Sequence, residues 1–415
     1  AYVVRFTNLA NGQEKLSYIT VADTNVKADA RGAEFAAPED GTYRASYGRS
    51  IQSSSQGSGT TVSTINQLGN PVVFAKNGQG QWSAFDLATL TGSPAVTGQV
   101  VSWIDSKDGL LYAAAAGPSG VILFRQNSVG IWNHRNLTTE ASGVSVPSGQ
   151  LVVLEGADGL VRLAGLSGNG KLVLYSQDGT GLAGAYNWTY SDLTTQHLEA
   201  QNQQMPQFVG EIIGYTTSWN GLNVAGLDAQ GQVHTVWWAP GLNLWQTTNL
   251  SAITGAPAFT GGLTAYTTPW DGINIAGVTA NGSLSVTWWV PSLGGQWVTN
   301  NLTQEFNGPN LTASSVSSYV SSWGGLNVAG IDQTGRVVVY WWSPENTQVG
   351  WQVAPLSTEI NGAPLLEGRI VGLAADDSSL NVFGYAGEGN LIRYHWSPGG
   401  SWGWEDMTVA VGGPG

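Results

Sequence analysis

The sequence predicts an all-β fold, a seven-bladed β-propeller of four-stranded antiparallel blades with a short N-terminal extension. Three observations carry that prediction. A tryptophan recurs every 50 to 57 residues, at Trp82, Trp132, Trp188, Trp245, Trp297, Trp351 and Trp402. Five residues after each stands Leu87, Leu137, Leu193, Leu250, Leu302, Leu356 or Met407. Each interval contains four short runs rich in Val, Ile, Thr, Trp and Tyr, so one repeat is a four-stranded meander, too long for a helical hairpin. A single such sheet leaves both faces open, and repetition around an axis covers them.

The fourth to sixth repeats show the unit best. They read YTTSWNGLNVAGLDAQGQVHTVWW from Tyr215, YTTPWDGINIAGVTANGSLSVTWW from Tyr266 and YVSSWGGLNVAGIDQTGRVVVYWW from Tyr319. Asn-Gly, Asp-Gly, Gly-Gly and Gln-Gly pairs separate the strands, and they predict two-residue type I′ turns, which need positive φ. With strands named A to D, strand D begins at the recurrent tryptophan. Blades 2, 3 and 7 contain LLYAAAAGPSGVILFRQ from Leu110, LVRLAGLSGNGKLVLYSQ from Leu160 and LNVFGYAGEGNLIRYHWSP from Leu380. Blade 1 is irregular. Asn70 to Lys76 and Gln81 to Leu87 match its strands C and D, and strands A and B are expected near Tyr43 to Ile51 and Thr60 to Asn66, joined by a flexible SSSQGSG loop.

The expected domains are an extension over 1–41 and a propeller over 42–415, with blades at about 42–97, 98–148, 149–209, 210–260, 261–313, 314–367 and 368–415. The extension reads as a hairpin around Ala10-Asn11-Gly12, used as a latch between blades 7 and 1, a small separate element, or a strand donated to a neighbouring molecule.

Composition narrows the function. The chain has 57 glycines, no cysteine and only 10% charged residues, so its polar surface is built from Ser, Thr, Asn and Gln, without disulfide or thiolate metal site. No apolar run reaches the ~18 residues of a membrane span. The start at Ala1, without methionine or signal-like segment, suggests a processed or excised form. Low lysine and a neutral polar surface point outside the cell or to the cell surface, in a prokaryote. Charge is uneven: residues 172–415 hold Arg336, Arg369 and Arg393 against 16 acids, which accounts for the whole net charge of −13. That surface repels phosphate backbones and anionic membranes, so no nucleic acid and no membrane insertion are expected. No D-x-[DN]-x-[DN]-G loop offers a calcium site, and no cofactor is implied.

Catalytic patterns are missing. His134, His197, His234 and His395 fall in different repeats, and neither H-E-x-x-H nor G-x-S-x-G occurs. A glycan-active enzyme with carboxylates from different blades is an alternative, but the repetition favours repeated binding or structure over one asymmetric site.

The candidate ligand residues are aromatic. Of 19 tryptophans, seven start strand D, three precede the A–B turn (Trp219, Trp270, Trp323) and seven end strand C, as Trp237-Trp238, Trp288-Trp289, Trp341-Trp342 and Trp396. The A–B and C–D ends of a meander share one rim, so these indoles gather there with Asn223, Asn274 and Asn327. The strand D series reads as inter-blade packing. The turn tryptophans with Trp238, Trp289 and Trp342 read as aromatic platforms, since an indole face matches the C–H face of a sugar and an amide takes hydroxyl hydrogen bonds. The asparagines could instead tie one blade's rim to the backbone of the next. In blade 7, Asp377 stands where the turn tryptophan would be.

The Gly-led strand, the aromatic strand C, the Trp-started strand D and GSWGWEDM from Gly400 to Met407 resemble the repeats of bacterial and fungal sugar-binding propellers with six or seven blades. The resemblance spans residues 42–408 as a pattern and implies several equivalent sugar sites at blade junctions, with glycan or polysaccharide as partner. The alternative is a structural or adhesive module of a surface assembly that contacts copies of itself or other surface proteins through residues 1–41. Sequons begin at Asn136, Asn187, Asn249, Asn281, Asn301 and Asn310. Three of them lie four residues after the strand D tryptophan, where Asp86, Asp192 and Asp406 occur in other blades, which marks a turn-forming side chain.

Overall fold

The computed structural model describes residues 59–415 apart from 147–148, 157, 181–185, 243, 347–349, 388 and 413–415 and the side chains at 293 and 314–315, together with the strand backbones within residues 2–56. Seven sheets of four sequential antiparallel strands succeed one another along the chain, as a seven-bladed propeller requires. Blade 4 is representative, with strand A Val209–Thr216, B Leu222–Leu227, C Val233–Trp238 and D Trp245–Asn249. β-Branched and aromatic residues fill these strands and suit a surface packed on both sides.

The turns differ from expectation. Thr217 N–H donates to Gly221 O and Asn220 N–H to Thr217 O, both at 2.9 Å, and Asn220 is left-handed with φ of 70°. The loop therefore has three residues and a left-handed closing position, instead of a two-residue type I′ turn. Asp271, Gly324 and Ser378 take the same place in blades 5 to 7, with φ of 66°, 81° and 63°. The Asn-Gly and Asp-Gly pairs do mark positive φ, but only their first residue adopts it in these A–B turns.

Strand D ends in a feature too short for periodicity to reveal. Asp86, Asn136, Asn249, Asn301 and Asp406 cap one-turn helices; Asp86 Oδ1 accepts from Thr89 N at 2.9 Å and Asn301 Oδ1 from Gln304 N at 3.0 Å. This explains the Asn/Asp interchange. The recurrent Leu or Met opens the helix and is almost wholly buried in every blade. The next residue locks strand C: Thr303 Oγ1 accepts from Leu284 N at 2.9 Å and also meets the Tyr340 hydroxyl of the following blade at 3.1 Å. Thr138 with Tyr175 and Ser357 with Tyr394 repeat the link.

Among the described residues the core divides into seven clusters, each shared by two adjacent blades. The ring closes without strand exchange. Val62 and Phe74 of blade 1 pack on Phe383, Tyr385 and Met407 of blade 7, Trp82 meets Phe383 edge-on at 5.5 Å, and the Thr64 and Tyr385 hydroxyls lie 2.7 Å apart.

Before the ring, Tyr2–Asn8 pairs antiparallel with Glu14–Ile19 on one side and with Tyr43–Gly48 on the other. The turn expected at 10–12 lies outside the described residues. Strand A of blade 1 is Ile51–Gln56, paired with Gly59–Ile65. The serine run thus belongs to a strand rather than to a loop, and Tyr43–Gly48 joins the N-terminal sheet. A serine run has no hydrophobic period, which hid the strand from pattern reading.

Candidate functional site

Alternation along strand C sends the two indoles of each doublet to opposite faces. Trp288 packs into the junction of blades 5 and 6 and Trp289 into that of blades 4 and 5. The rim indoles are therefore grouped by junction. Trp219 meets Trp289 of the next blade with ring centroids 5.7 Å apart and planes at 65°. Trp270 meets Trp342 at 5.5 Å and 66°, and Trp323 meets Trp396 at 5.6 Å and 63°. These are edge-to-face pairs, worth about 0.5–1.5 kcal/mol each beyond the area they bury.

The first pair borders a cleft. Between blades 4 and 5 the space is about 200 Å³, and Trp219, Trp237, Trp289, Trp297, Tyr215 and Asn223 are among its lining residues, none of which is charged. Trp238 borders the same cleft while packing on the core of blades 3 and 4. The floor is fixed by hydrogen bonds: Trp237 Nε1 donates to Thr248 Oγ1 at 3.0 Å, and in blade 5 Trp288 Nε1 donates to Asn300 Oδ1 at 2.8 Å. The turn indole folds back over its hairpin, so that a Cβ at Gly221 would stand 3.3 Å from Trp219 Nε1 and 2.7 Å from Thr217 Oγ1. Only glycine fits beneath it without a shift. Trp219, Trp270 and Trp323 nevertheless keep 39%, 40% and 38% of their surface in solvent.

The asparagines are buried beside the clefts. Asn223 Nδ2 donates to Gly221 O at 3.1 Å and Tyr215 O at 3.4 Å, and Asn327 repeats this with Gly325 and Tyr319. The amide braces its own hairpin, not the next blade. Adjacent turns are tied by other groups: the Ser218 hydroxyl donates to the Asp271 carboxylate, and Ser322 Oγ donates to Ser378 Oγ at 2.8 Å.

Two positions were not singled out by the sequence. Trp396 completes the third pair, because the partner of each turn indole comes from the following blade. Tyr215, Tyr266 and Tyr319 stand opposite Asn223, Asn274 and Asn327 in the strand register. All three are buried, and burial pushes their hydroxyls well above the usual phenol range. Among the described residues, the Tyr266 and Tyr319 hydroxyls have no hydrogen-bond partner. The signal was the tyrosine four residues before each turn tryptophan.

The junction of blades 7 and 1 replaces indoles by charge. Asp377 takes the turn position and Lys76 the strand C end, and the two form an ion pair. Arg393 lies 5.4 Å from the Trp82 ring centroid and bonds Asn381 Oδ1 at 2.8 Å and Glu405 Oε2 at 3.2 Å. Partial burial works to raise the Asp377 carboxyl, but hydrogen bonds from Lys76 and Ser379 and the Lys76 charge outweigh it and hold it at about 2. Burial and the Arg393 charge hold His395 below its ordinary value. Among the described residues no three acidic or histidine side chains are placed to hold a metal ion, and no helix is long and apolar enough to cross a membrane.

These features define a propeller with repeated indole pairs between blades. The comparisons with known proteins agree at the level of fold. No protein-family model matches the chain, and no curated protein matches it by sequence. The BP39L lectin from Burkholderia pseudomallei is similar in structure, with 15% identity, 86% of this chain and 97% of that chain covered, and a TM-score of 0.61. A triple arginine-to-alanine variant of AofleA from Arthrobotrys oligospora shares 14% identity over 88% and 87% of the two chains, with a TM-score of 0.50. The six-bladed fucose-recognising lectin of Aleuria aurantia shares 11% identity over 86% and 94%, with a TM-score of 0.48. The chain is thus a β-propeller with propeller lectins among its structural neighbours.

Proposed function

We propose that the protein is a noncatalytic, extracellular or cell-surface carbohydrate-binding module whose sites are the indole-paired rims of junctions 4/5, 5/6 and 6/7. One observation carries this reading. The same half-exposed turn indole, set edge-on to an indole of the next blade, recurs three times, and at junction 4/5 it borders an uncharged aromatic cleft. Half-exposed indoles over a pocket suit ligands with an apolar face and hydroxyl edges. The fold shared with BP39L supports the lectin class. Partners are glycans or polysaccharides rather than nucleic acid.

The test is a glycan and polysaccharide array probed with the intact chain and with the Trp219→Ala, Trp270→Ala, Trp323→Ala triple variant. Saturable binding by the intact chain that disappears in a folded triple variant supports the reading. A blank array overturns it and favours a scaffold role.

A further inference from the structure

We infer that Glu211 and Arg369 form a strut across the propeller axis that holds blade 4 against blade 7. These two blades are the ends of the arc that carries the three indole pairs. The inference stands independently of the carbohydrate-binding reading.

It starts from the inner wall of the ring. The first strand of each blade contacts the first strands of both neighbouring blades, from blade 1 round to blade 7 and back, so strand A lines the axis. Glu211 belongs to strand A of blade 4, Val209–Thr216, and Arg369 to strand A of blade 7, Glu367–Ala374. These blades share no junction. Even so, Arg369 Nη1 donates to Glu211 Oε1 at 2.5 Å. The pair therefore crosses the bore, near the start of the two strands and away from the indole rim at their ends.

Both side chains reach the bore through the same backbone device. In blade 4, Val209 pairs with Leu227 and Ile212 with Gly226, so Gly210 and Glu211 are extra residues that the ladder skips. In blade 7, Gly368 and Arg369 are skipped in the same way between Glu367 and Ile370. Gly210 and Gly368 are left-handed, with φ of 74° and 69°. Such a bulge bends its strand and re-aims the side chain beside it. Strand A of blade 2 repeats the device with Gly98, at φ of 79°, and the neutral Gln99. The bulge itself thus needs no charge. Opposite charges stand at the two bulges that meet, and Arg369 is one of only three basic residues in 172–415.

The hydrogen bonds around the strut show what it adds. Ile212 N–H donates to Gln150 Oε1 of blade 3 at 3.2 Å, Ser318 N–H of blade 6 to Thr264 Oγ1 of blade 5 at 2.9 Å, and Gly372 N–H of blade 7 to Ser317 Oγ of blade 6 at 2.9 Å. Each of these joins adjacent blades. The ion pair instead fixes a distance three blades long. Its side chains keep 19% and 37% of their surface in solvent, so screening limits its strength and its effect is confined to the inner wall.

The experiment is hydrogen–deuterium exchange of the full chain, read by mass spectrometry. Wild type is compared with Glu211→Gln, Arg369→Gln, the double variant, and the charge-swapped Glu211→Arg, Arg369→Glu variant. Each single substitution should speed exchange about two- to fivefold in both Val209–Thr216 and Glu367–Ala374, the scale of a partly exposed ion pair. Strand Thr97–Ile104 of blade 2 should keep its wild-type rate. The strand across the bore is the decisive readout, because its own sequence is unchanged. The double variant should exchange like either single one, and the swap should return both strands towards wild type, since the coupling is lost once either partner is gone. Faster exchange confined to the substituted strand, a double variant whose effect is the product of the singles, or a swap no slower than the single variants overturns the inference.

Discussion

Junctions 4/5 to 6/7 and the junction of blades 7 and 1 are built on the same four strands, yet their rims differ in chemistry. In the first three, a turn indole from one blade meets a strand C indole from the next. In the last, Asp377 and Lys76 occupy those two places as an ion pair. The junction of blades 2 and 3 is polar as well: Asp105 is fully buried, accepts from Gln177 Nε2 at 3.2 Å and from Lys107 N at 2.9 Å, and Tyr112 bonds Asp108 at 2.7 Å. The backbone therefore does not dictate the rim. What is common to all junctions lies lower, in the strand D helix and its buried Leu or Met, and what varies is the rim.

That contrast can be broken first where the two regions agree. Met407→Ala at the 7/1 junction and Leu302→Ala at the 5/6 junction remove equivalent buried side chains, and each should lower stability by about 2–5 kcal/mol in chemical denaturation. A large effect at one site alone would show that the regions do not share their lower core. A smaller and again similar loss, about 1 kcal/mol, is expected for Asp406→Ala and Asn301→Ala, which remove the caps of the same helices.

The regions should diverge with pH. The Asp377 carboxyl titrates at about 2, below its ordinary 3.8, so the stability it adds is complete above about pH 4 and disappears as pH falls through 2. His395 acts in the same direction. Its lowered folded pKa means that its contribution is full above its ordinary 6.5 and declines as acidification charges it in the folded chain. Asp377→Asn should therefore lower the melting temperature by a few degrees near pH 7 and hardly at all near pH 2. Trp270→Ala, which breaks an uncharged aromatic pair, should show no such convergence. Thermal melts of both variants between pH 2 and 7 check this.

Most of the fold was legible because the Trp and Leu series repeats once per blade, and Leu87 through Met407 are buried as that regularity demands. The strand A of blade 1 was not, since Ile51–Gln56 has no alternation to read. The cap helices escaped notice because four or five residues give no 3.6-residue period. At the site, the rim location of Trp219, Trp270 and Trp323 followed from meander geometry alone. Their partners did not. Contacts between blades depend on how sheets pack, so Trp396 joined the set only once blade 7 was placed beside blade 6. The tyrosine position was marked by its spacing from the turn tryptophan, but that the Tyr266 and Tyr319 hydroxyls are unpaired among the described residues is a property of the packed structure and leaves no mark on a sequence.

The central claim is that the three indole-paired rims are ligand sites and not merely packing. The most direct measurement is binding of the intact chain and of the Trp219→Ala, Trp270→Ala, Trp323→Ala variant to a glycan and polysaccharide array, with melting curves of both. Saturable binding lost in a variant that melts within a few degrees of wild type is the predicted result. A variant that unfolds at much lower temperature, or that binds as wild type does, would contradict it.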